Sequence, residues 1–235
     1  MSDGEYDQEW DDGDGDGWGS PNENGDESDH EIENNFYEAE GMMRDSPQEA
    51  LDRFQTVVDM EAHQDEQQFS FNAHKFIIIV SAQLEQYDKM LTSQRALLKM
   101  TDKVSRNEVS EAVNRILDLV ESQLQQKSPD MAREMYTLIL STLKTYNERL
   151  WFTTSLRLAR MYLDGKQFDP LEQMLIDLKT ACLTPEAAAG PCDFSRAEFF
   201  NLQKGSMLLE VFAFEIQMCI DLKEQRRMKS VFRLS

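Results

Sequence analysis

The chain has 235 residues, of which 40% are apolar, and a formal net charge of −20 at pH 7. Sixteen of its 44 acidic residues and none of its 24 basic residues lie in positions 1–40, so the negative charge is concentrated in an N-terminal tail. Such a tail repels nucleic acids and anionic membranes, and no run in the sequence is apolar for long enough to span a bilayer. We therefore expect protein partners, with neither nucleic acid nor membrane among them.

The tail is predicted to be disordered over residues 1–30, because its glycines and acids cannot bury enough apolar area to offset chain entropy. Asp12 to Glu23 matches the EF-hand pattern, with oxygen ligands spaced for Ca²⁺. An EF-hand needs helices on both sides of its loop, however, and here the flanks are acidic and Gly19 and Pro21 fall inside the loop. A low-complexity acidic tract is the favoured interpretation.

The compartment is predicted from the same region and from the cysteines. No basic segment followed by an apolar run is present near Met1, so no signal peptide is expected. The three cysteines form no CxxC pair, which favours a reducing compartment with free thiols. We expect a protein of the cytoplasm and the nucleus.

Residues 31–235 are predicted to form one helical-repeat domain. Helix-opening residues recur every 41 positions, at Pro47, Asp88, Pro129 and Pro170. A fixed period of this size is typical of solenoids, in which each helical hairpin buries its apolar stripe against its neighbours. Serines before Pro47 and Pro129 are predicted to cap their helices.

Apolar residues at helical spacing predict the remaining elements. In chain order the predicted helices are one around Phe36, one from Pro47, two over 66–83 and 86–101, one capped by Ser105 with Glu108, one from Pro129, and four over 150–163, 171–183, 195–221 and 222–234. Residues 184–194 contain two prolines and a glycine and are predicted as a loop. The run Ile77 to Val80 is β-branched, but helical patterns flank it. The predicted fold class is all-α, a right-handed solenoid of antiparallel, TPR-like helical hairpins behind a disordered acidic tail.

The last residues of the sequence are mostly apolar. Val231, Phe232 and Leu234 would leave an apolar edge where solenoids normally have a polar cap. A further domain or another protein is expected to cover it.

No catalytic residue and no metal site is predicted. His30, His63 and His74 form neither HExxH nor HxH, and GxSxG, P-loop and GxGxxG motifs are missing from the sequence. The block Arg149 to Phe152 is interpreted as core between repeats rather than as a pocket.

Basic residues are the candidate partner-binding groups. Lys99, Lys103 and Arg106 follow one another at about one helical turn, and so do Lys223, Arg226, Arg227 and Lys229. Each cluster would present a positive edge to an acidic or phosphate-rich partner. A solvated helix face is the alternative interpretation of both. His74, next to Lys75, is expected to be a surface or groove residue.

Several blocks resemble the subunit 2 family of the COP9 signalosome, which belongs to the PCI-domain proteins. The most specific contain Arg149, Trp151 and Phe152, and then Lys204, Glu210 and Glu215. The resemblance extends from about Ile32 to the end. In chain order the blocks are Glu33 to Ala39, Pro47 to Phe54, Val104 to Asn107, Asn147 to Phe152, Met161 to Leu163 and Lys204 to Met218.

The resemblance implies an N-terminal helical-repeat arm, with the family's PCI domain absent from residues 1–235. It implies a non-catalytic scaffold that recognises cullin–RING ligases, joins other COP9 signalosome subunits and supports removal of Nedd8 from cullins. Inositol hexakisphosphate is implied as a bridging ligand near Lys75 and Arg106, although Asn72 stands where the family has a lysine. A scaffold subunit of the proteasome lid and a stand-alone helical-repeat adaptor remain the alternatives.

Overall fold

The computed structural model describes residues 23–62, 67, 69–184, 187 and 199–233. Over these residues it confirms the all-α class, with no strand and one isolated bridge between Leu183 and Phe200. The α-helices are α1 (Glu23–Met42), α2 (Pro47–Glu61), α3 (Ser70–Gln83), α4 (Tyr87–Lys99), α5 (Arg106–Leu119), α6 (Pro129–Tyr146), α7 (Glu148–Asp164), α8 (Phe168–Ala181), α9 (Gly205–Asp221) and α10 (Gln225–Val231).

The helix of α5 continues beyond Leu119 in a different geometry. Val120–Leu124 is π-helical, and Gln125–Lys127 adds a last α-helical turn before α6 begins. Single π-helical turns interrupt α-helices rarely and are frequent at functional sites.

The helices stack in sequence order. Most helices pack mainly on the helix before and after them, whereas α5 packs on α3 rather than on α4. In addition, α4 contacts α6, and α7 contacts α9. Buried side chains form one core along the stack, from Phe36 and Phe54 through Ile116 and Tyr136 to Phe212. This is the stack of helical hairpins that the 41-residue period predicts. None of the helices within the described ranges is long and apolar enough to cross a membrane.

The 41-residue register is confirmed at its four positions. Pro47 and Pro129 are the first residues of α2 and α6, and Asp88 and Pro170 lie in the first turns of α4 and α8. Proline is tolerated in a first turn because its missing N–H would have no helical partner there.

The predicted serine caps are correct in one case of three. The Ser105 hydroxyl accepts from the Glu108 N–H at 3.3 Å, and the Glu108 carboxylate accepts from the Ser105 N–H at 3.0 Å. Ser46 and Ser128 make no cap hydrogen bond, so that prediction is wrong. Their ψ angles of 66° and 78°, against 150° at Ser105, depart from the extended geometry that a capping side chain needs.

Helix α3 begins later than its predicted start at 66. A carboxylate from the preceding helix determines the start, since Glu61 accepts from the backbone N–H of Phe69 at 2.9 Å and of Ser70 at 2.6 Å. Glu61 is buried. It therefore caps α3 from a distant position, which local pattern does not reveal.

Two further boundaries differ from prediction. The helix predicted from 195 begins at Gly205, because Phe199 to Asn201 pair with Cys182 to Thr184 instead. The Thr184 N–H donates to the Phe199 carbonyl, and the Asn201 N–H donates to the Cys182 carbonyl, both at 2.8 Å. The helix predicted over 222–234 is shortened to α10, because Leu222 and Lys223 form a turn.

At the N-terminal side, α1 begins at Glu23, so the predicted tail boundary at residue 30 falls inside a helix. The predicted disorder of residues 1–22 lies outside the described residues. So does the EF-hand pattern, apart from Glu23.

Three hairpins turn through one shared geometry. Glu85, Lys166 and Lys223 have φ values of 59°, 54° and 61°, in the left-handed region. In each turn the following N–H donates at 2.8 Å to a carbonyl five residues earlier, as Gln86 does to Ser81. This is the Schellman ending of a helix, which normally has glycine at the left-handed position.

Candidate partner-binding surfaces

Lys75 and Arg115 form a basic pair over one aromatic ring. The Lys75 Nζ lies 5.1 Å and the Arg115 Cζ 5.4 Å from the centre of the Phe76 ring. The Lys75 Nζ also donates to the Asn72 Oδ1 at 2.7 Å. Burial, together with the charge of Arg115, lowers the pKa of Lys75. Two cations are thus held close together where a polyanion would relieve their repulsion.

Arg106 does not extend this pair. It is the first residue of α5 and lies nine residues before Arg115, which at about 3.6 residues per turn puts the two on opposite sides of the helix. The stripe that includes Arg115 also contains Glu108 and Glu111, whose charges act on Lys75. The surface around Lys75 is therefore mixed in sign.

The cluster of Lys99, Lys103 and Arg106 spans a turn rather than one helix face. Lys99 ends α4, Arg106 begins α5, and Lys103 lies between them. All three are exposed. The Lys103 Nζ donates to the Gln67 Oε1 at 2.9 Å, which ties this turn to the connection before α3.

In the second predicted cluster, Lys223 to Lys229, Arg227 is half-buried while the other three basic residues are exposed. Arg227 belongs to an ion-pair network in which its guanidinium contacts Glu215 at 3.0 Å and Glu172 at 2.6 Å. Glu215 also accepts from Lys179 at 3.0 Å, and both of those side chains are less than a tenth exposed. Arg227 is therefore a structural link between α8, α9 and α10. Arg226 remains exposed.

A cleft lies between the π-helical segment, α7 and α9, and we call it the α7–α9 cleft. It encloses about 570 Å³. Its lining includes Glu121, Leu156, Arg157, Arg160, Met161, Asp164, Glu210 and Phe214. Sequence patterns gave no indication of it, because its residues come from three helices that are distant in sequence.

One wall of this cleft is a hydrogen-bonded network. Arg157 donates from Nε to Glu121 at 2.7 Å and from Nη2 to Asp118 at 2.6 Å, and the buried Tyr136 hydroxyl donates to Glu121 at 2.7 Å. The Arg157 guanidinium lowers the pKa of the Glu121 carboxyl. Burial and the hydrogen bond to Glu121 raise the pKa of Tyr136. At neutral pH the Arg157 guanidinium and the Glu121 carboxylate are therefore charged, and the Tyr136 hydroxyl keeps its proton.

Comparison with known proteins gives consistent relatives. A subunit 2 of the COP9 signalosome complex from Drosophila melanogaster is 30% identical over 237 residues, covering 100% of this chain and 50% of the relative. Its counterpart from Emericella nidulans is 32% identical over 236 residues, covering 99% and 42%. That from Dictyostelium discoideum is 31% identical over 205 residues, covering 86% and 43%. No family model matches the chain.

The chain is a homologue of the N-terminal half of COP9 signalosome subunit 2. It spans about half the length of the curated relatives that it matches. These matches cover 100% and 99% of the chain, so they extend into the acidic tail before Ile32, where the resemblance was expected to begin.

Several residues of the blocks that resemble the subunit 2 family have structural roles in the stack. Trp151 and Phe152 are buried in the core with ring centroids 6.5 Å apart, which confirms their interpretation as packing residues, while Arg149 is exposed. Lys204 donates to the Ala181 carbonyl at 2.8 Å and pairs with Glu148. Among the remaining block residues, Glu215 is buried in the ion-pair network and Glu210 lines the α7–α9 cleft.

His74 is not a surface residue, and the expectation from sequence is corrected here. Its side chain is buried in α3, and its Nδ1 has no hydrogen-bond partner among the residues that the structure describes. Burial lowers its pKa to about 4, so the imidazole is neutral at pH 7. Partner binding by Lys75, Lys99, Lys103 and Arg106 stays a prediction.

Proposed function

We propose that the chain is a non-catalytic scaffold subunit of the COP9 signalosome that recognises cullin–RING ligases. The observation that carries the proposal is the homology of nearly the whole chain to proteins named as subunit 2 of that complex. A stack of helical hairpins supports it, because solenoids offer extended surfaces for binding other proteins. Other signalosome subunits would be its permanent partners, and another subunit would catalyse removal of Nedd8. The proposed location is the cytoplasm and nucleus.

Inositol hexakisphosphate is proposed as a bridging ligand at the pair formed by Lys75 and Arg115. Hydrogen bonds between phosphate oxygens and cationic donors are stronger than neutral ones. The pair is preformed, since both cations lie within 5.4 Å of the Phe76 ring centre. Asn72 stands where the family has a lysine, and three carboxylates lie nearby, so the attraction for a polyanion is reduced. Because the contact is electrostatic, we expect added salt to weaken it strongly.

The test is affinity purification of the tagged full chain, with the tag alone as control, followed by mass spectrometry. Enrichment of signalosome subunits together with cullins is the expected result. Enrichment of proteasome lid subunits would favour the lid alternative, and neither set would favour a stand-alone adaptor. Microscopy of the same tagged chain tests its location.

A further inference from the structure

We propose that the α7–α9 cleft binds a basic, amphipathic peptide segment of a partner protein. The site goes beyond the proposed function, because it lies on other helices than the basic pair of Lys75 and Arg115. Its occupant is inferred from three properties of the cleft: a fixed wall, an apolar floor and an excess of carboxylates.

The wall needs no rearrangement to receive a ligand. Arg157 is 22% exposed and is held by two carboxylates, so its guanidinium is not available to pair with an incoming anion. The hydroxyl of the buried Tyr136 holds Glu121 from behind. Side chains that are already ordered lose little entropy on binding, which favours affinity.

The floor offers a place for an apolar side chain. Leu156 is buried, and Met161 and Phe214 are half-buried, and all three line the cleft. The Arg160 guanidinium lies 4.6 Å from the centre of the Phe214 ring. A volume of about 570 Å³ lies within the usual range for ligand sites.

The charge of the cleft selects the sign of its ligand. Asp164 and Glu210 are exposed at the cleft, and neither makes an ion pair with any residue in the described parts of the chain. Together with Glu121 they place three carboxylates on the lining, against the two guanidinium groups of Arg157 and Arg160. Lys or Arg side chains next to an apolar residue complement this arrangement, and acidic segments do not.

The cleft is long enough for a segment rather than a single side chain. An adjoining cleft of about 360 Å³ shares Gln125, Met161 and Asp164 with it and extends past Arg133 to Pro129. Arg133 is paired there with Asp130. The continuous groove therefore suits an extended peptide, with basic side chains near Asp164 and Glu210.

The experiment pans a random dodecapeptide phage library against the full chain and against a variant with Asp164→Lys and Glu210→Lys. A matched control carries Asp45→Lys and Asp102→Lys, two exposed acids that line neither cleft. Circular dichroism establishes that all three proteins remain helical. The strongest peptide is then resynthesised for fluorescence anisotropy.

We expect wild type and control to enrich sequences with Lys or Arg beside Leu, Met or Phe. The cleft variant should bind the resynthesised peptide at least tenfold more weakly. The proposal is overturned if wild type enriches no such sequences, or if the cleft variant binds the peptide as tightly as the control does. Cullins take no part in this test, so it can fail independently of the proposed function.

Discussion

At the scale of single residues, the buried His74 imidazole makes stability depend on pH. Burial lowers its pKa to about 4, whereas in the unfolded chain the ordinary value is about 6.5. The unfolded state therefore binds more protons as pH falls through this window, and stability is present above pH 6.5 and lost toward pH 4. The shift corresponds to a free energy on the order of 3 kcal/mol.

Replacing the imidazole should remove that dependence. We expect His74→Leu to flatten the fall in unfolding free energy between pH 6.5 and pH 4.5, measured by urea denaturation. The exposed His30, changed to Gln, serves as control and should keep the wild-type slope. An unchanged slope in His74→Leu would show that the imidazole titrates normally.

The Ser105 hydroxyl provides a second test at this scale. Ser105→Ala removes a capping box and should lower the unfolding free energy by about 1 kcal/mol. Ser128→Ala, at a helix start where the hydroxyl makes no cap hydrogen bond, should change it by only a few tenths. Equal losses for the two variants, measured by urea denaturation, would contradict the difference in capping.

At the scale of elements, the Schellman turns contain side chains where glycine fits best. Lys166 has φ 54° and is exposed, so Lys166→Gly should relieve left-handed strain without loss of packing. We expect a gain of about 0.5–1 kcal/mol after the added chain entropy of glycine is subtracted. Lys166→Ala keeps the Cβ and should give no such gain. Thermal and urea unfolding of both variants are the measurements.

The ion-pair network that joins α8, α9 and α10 gives another prediction. Glu215→Gln removes the charge of a buried carboxylate that both Lys179 and Arg227 contact, and it should destabilise the chain by about 3–5 kcal/mol. The combined variant Lys179→Met and Glu215→Leu should recover most of that loss, because the buried ammonium and carboxylate are removed together. Glu134→Gln, at a half-exposed pair with Arg95, should cost less than about 1 kcal/mol. A small loss in Glu215→Gln would mean that water reaches this pair.

Much of this element order could be predicted because it follows from local chemistry. Proline in a first turn and apolar stripes at helical spacing are properties of contiguous residues. They located the starts of α2 and α6 at their prolines and the start of α4 to within one residue, whereas α8 begins three residues before its predicted start at 171. The start of α3 depends on Glu61, and the start of α9 depends on pairing with residues near Cys182. Contacts of this kind depend on tertiary structure, so local patterns placed both helices too early.

At the scale of the whole molecule, binding to cullin–RING ligases should depend on the basic pair. Lys75→Glu with Arg115→Glu should weaken that binding about tenfold at low salt, and less at high salt, because exposed charges are screened. Arg106→Glu should have a smaller effect, since Arg106 lies on the other side of α5. Titration at two ionic strengths measures both.

Lys89→Glu is the matched control for that titration. Lys89 is an exposed base on α4, and its reversal changes the net charge by the same amount as each single reversal. Equal affinity of wild type and the double reversal would show that Lys75 and Arg115 are not part of the binding surface.

The candidate sites were harder to predict than the stack. Lys75 was found through family resemblance, whereas Arg115 was missed, because its position over Phe76 depends on the packing of α5 against α3. The spacing of Glu108, Glu111 and Arg115 places all three on one face of α5, but no local pattern shows that this face meets Phe76. No local signal joins Arg157 to Glu121, which lies 36 residues earlier.

The bridge between Leu183 and Phe200 makes one part of the chain suitable for labelling. Two backbone hydrogen bonds of 2.8 Å join Cys182 and Thr184 to Asn201 and Phe199, so the segment between them starts and ends at one place on the stack. Lengthening a connection whose two ends are already held together costs little, since each doubling of its length adds only about 0.6 kcal/mol. A fluorescent protein or an affinity epitope inserted between these paired residues would report on the molecule without a tag at either terminus.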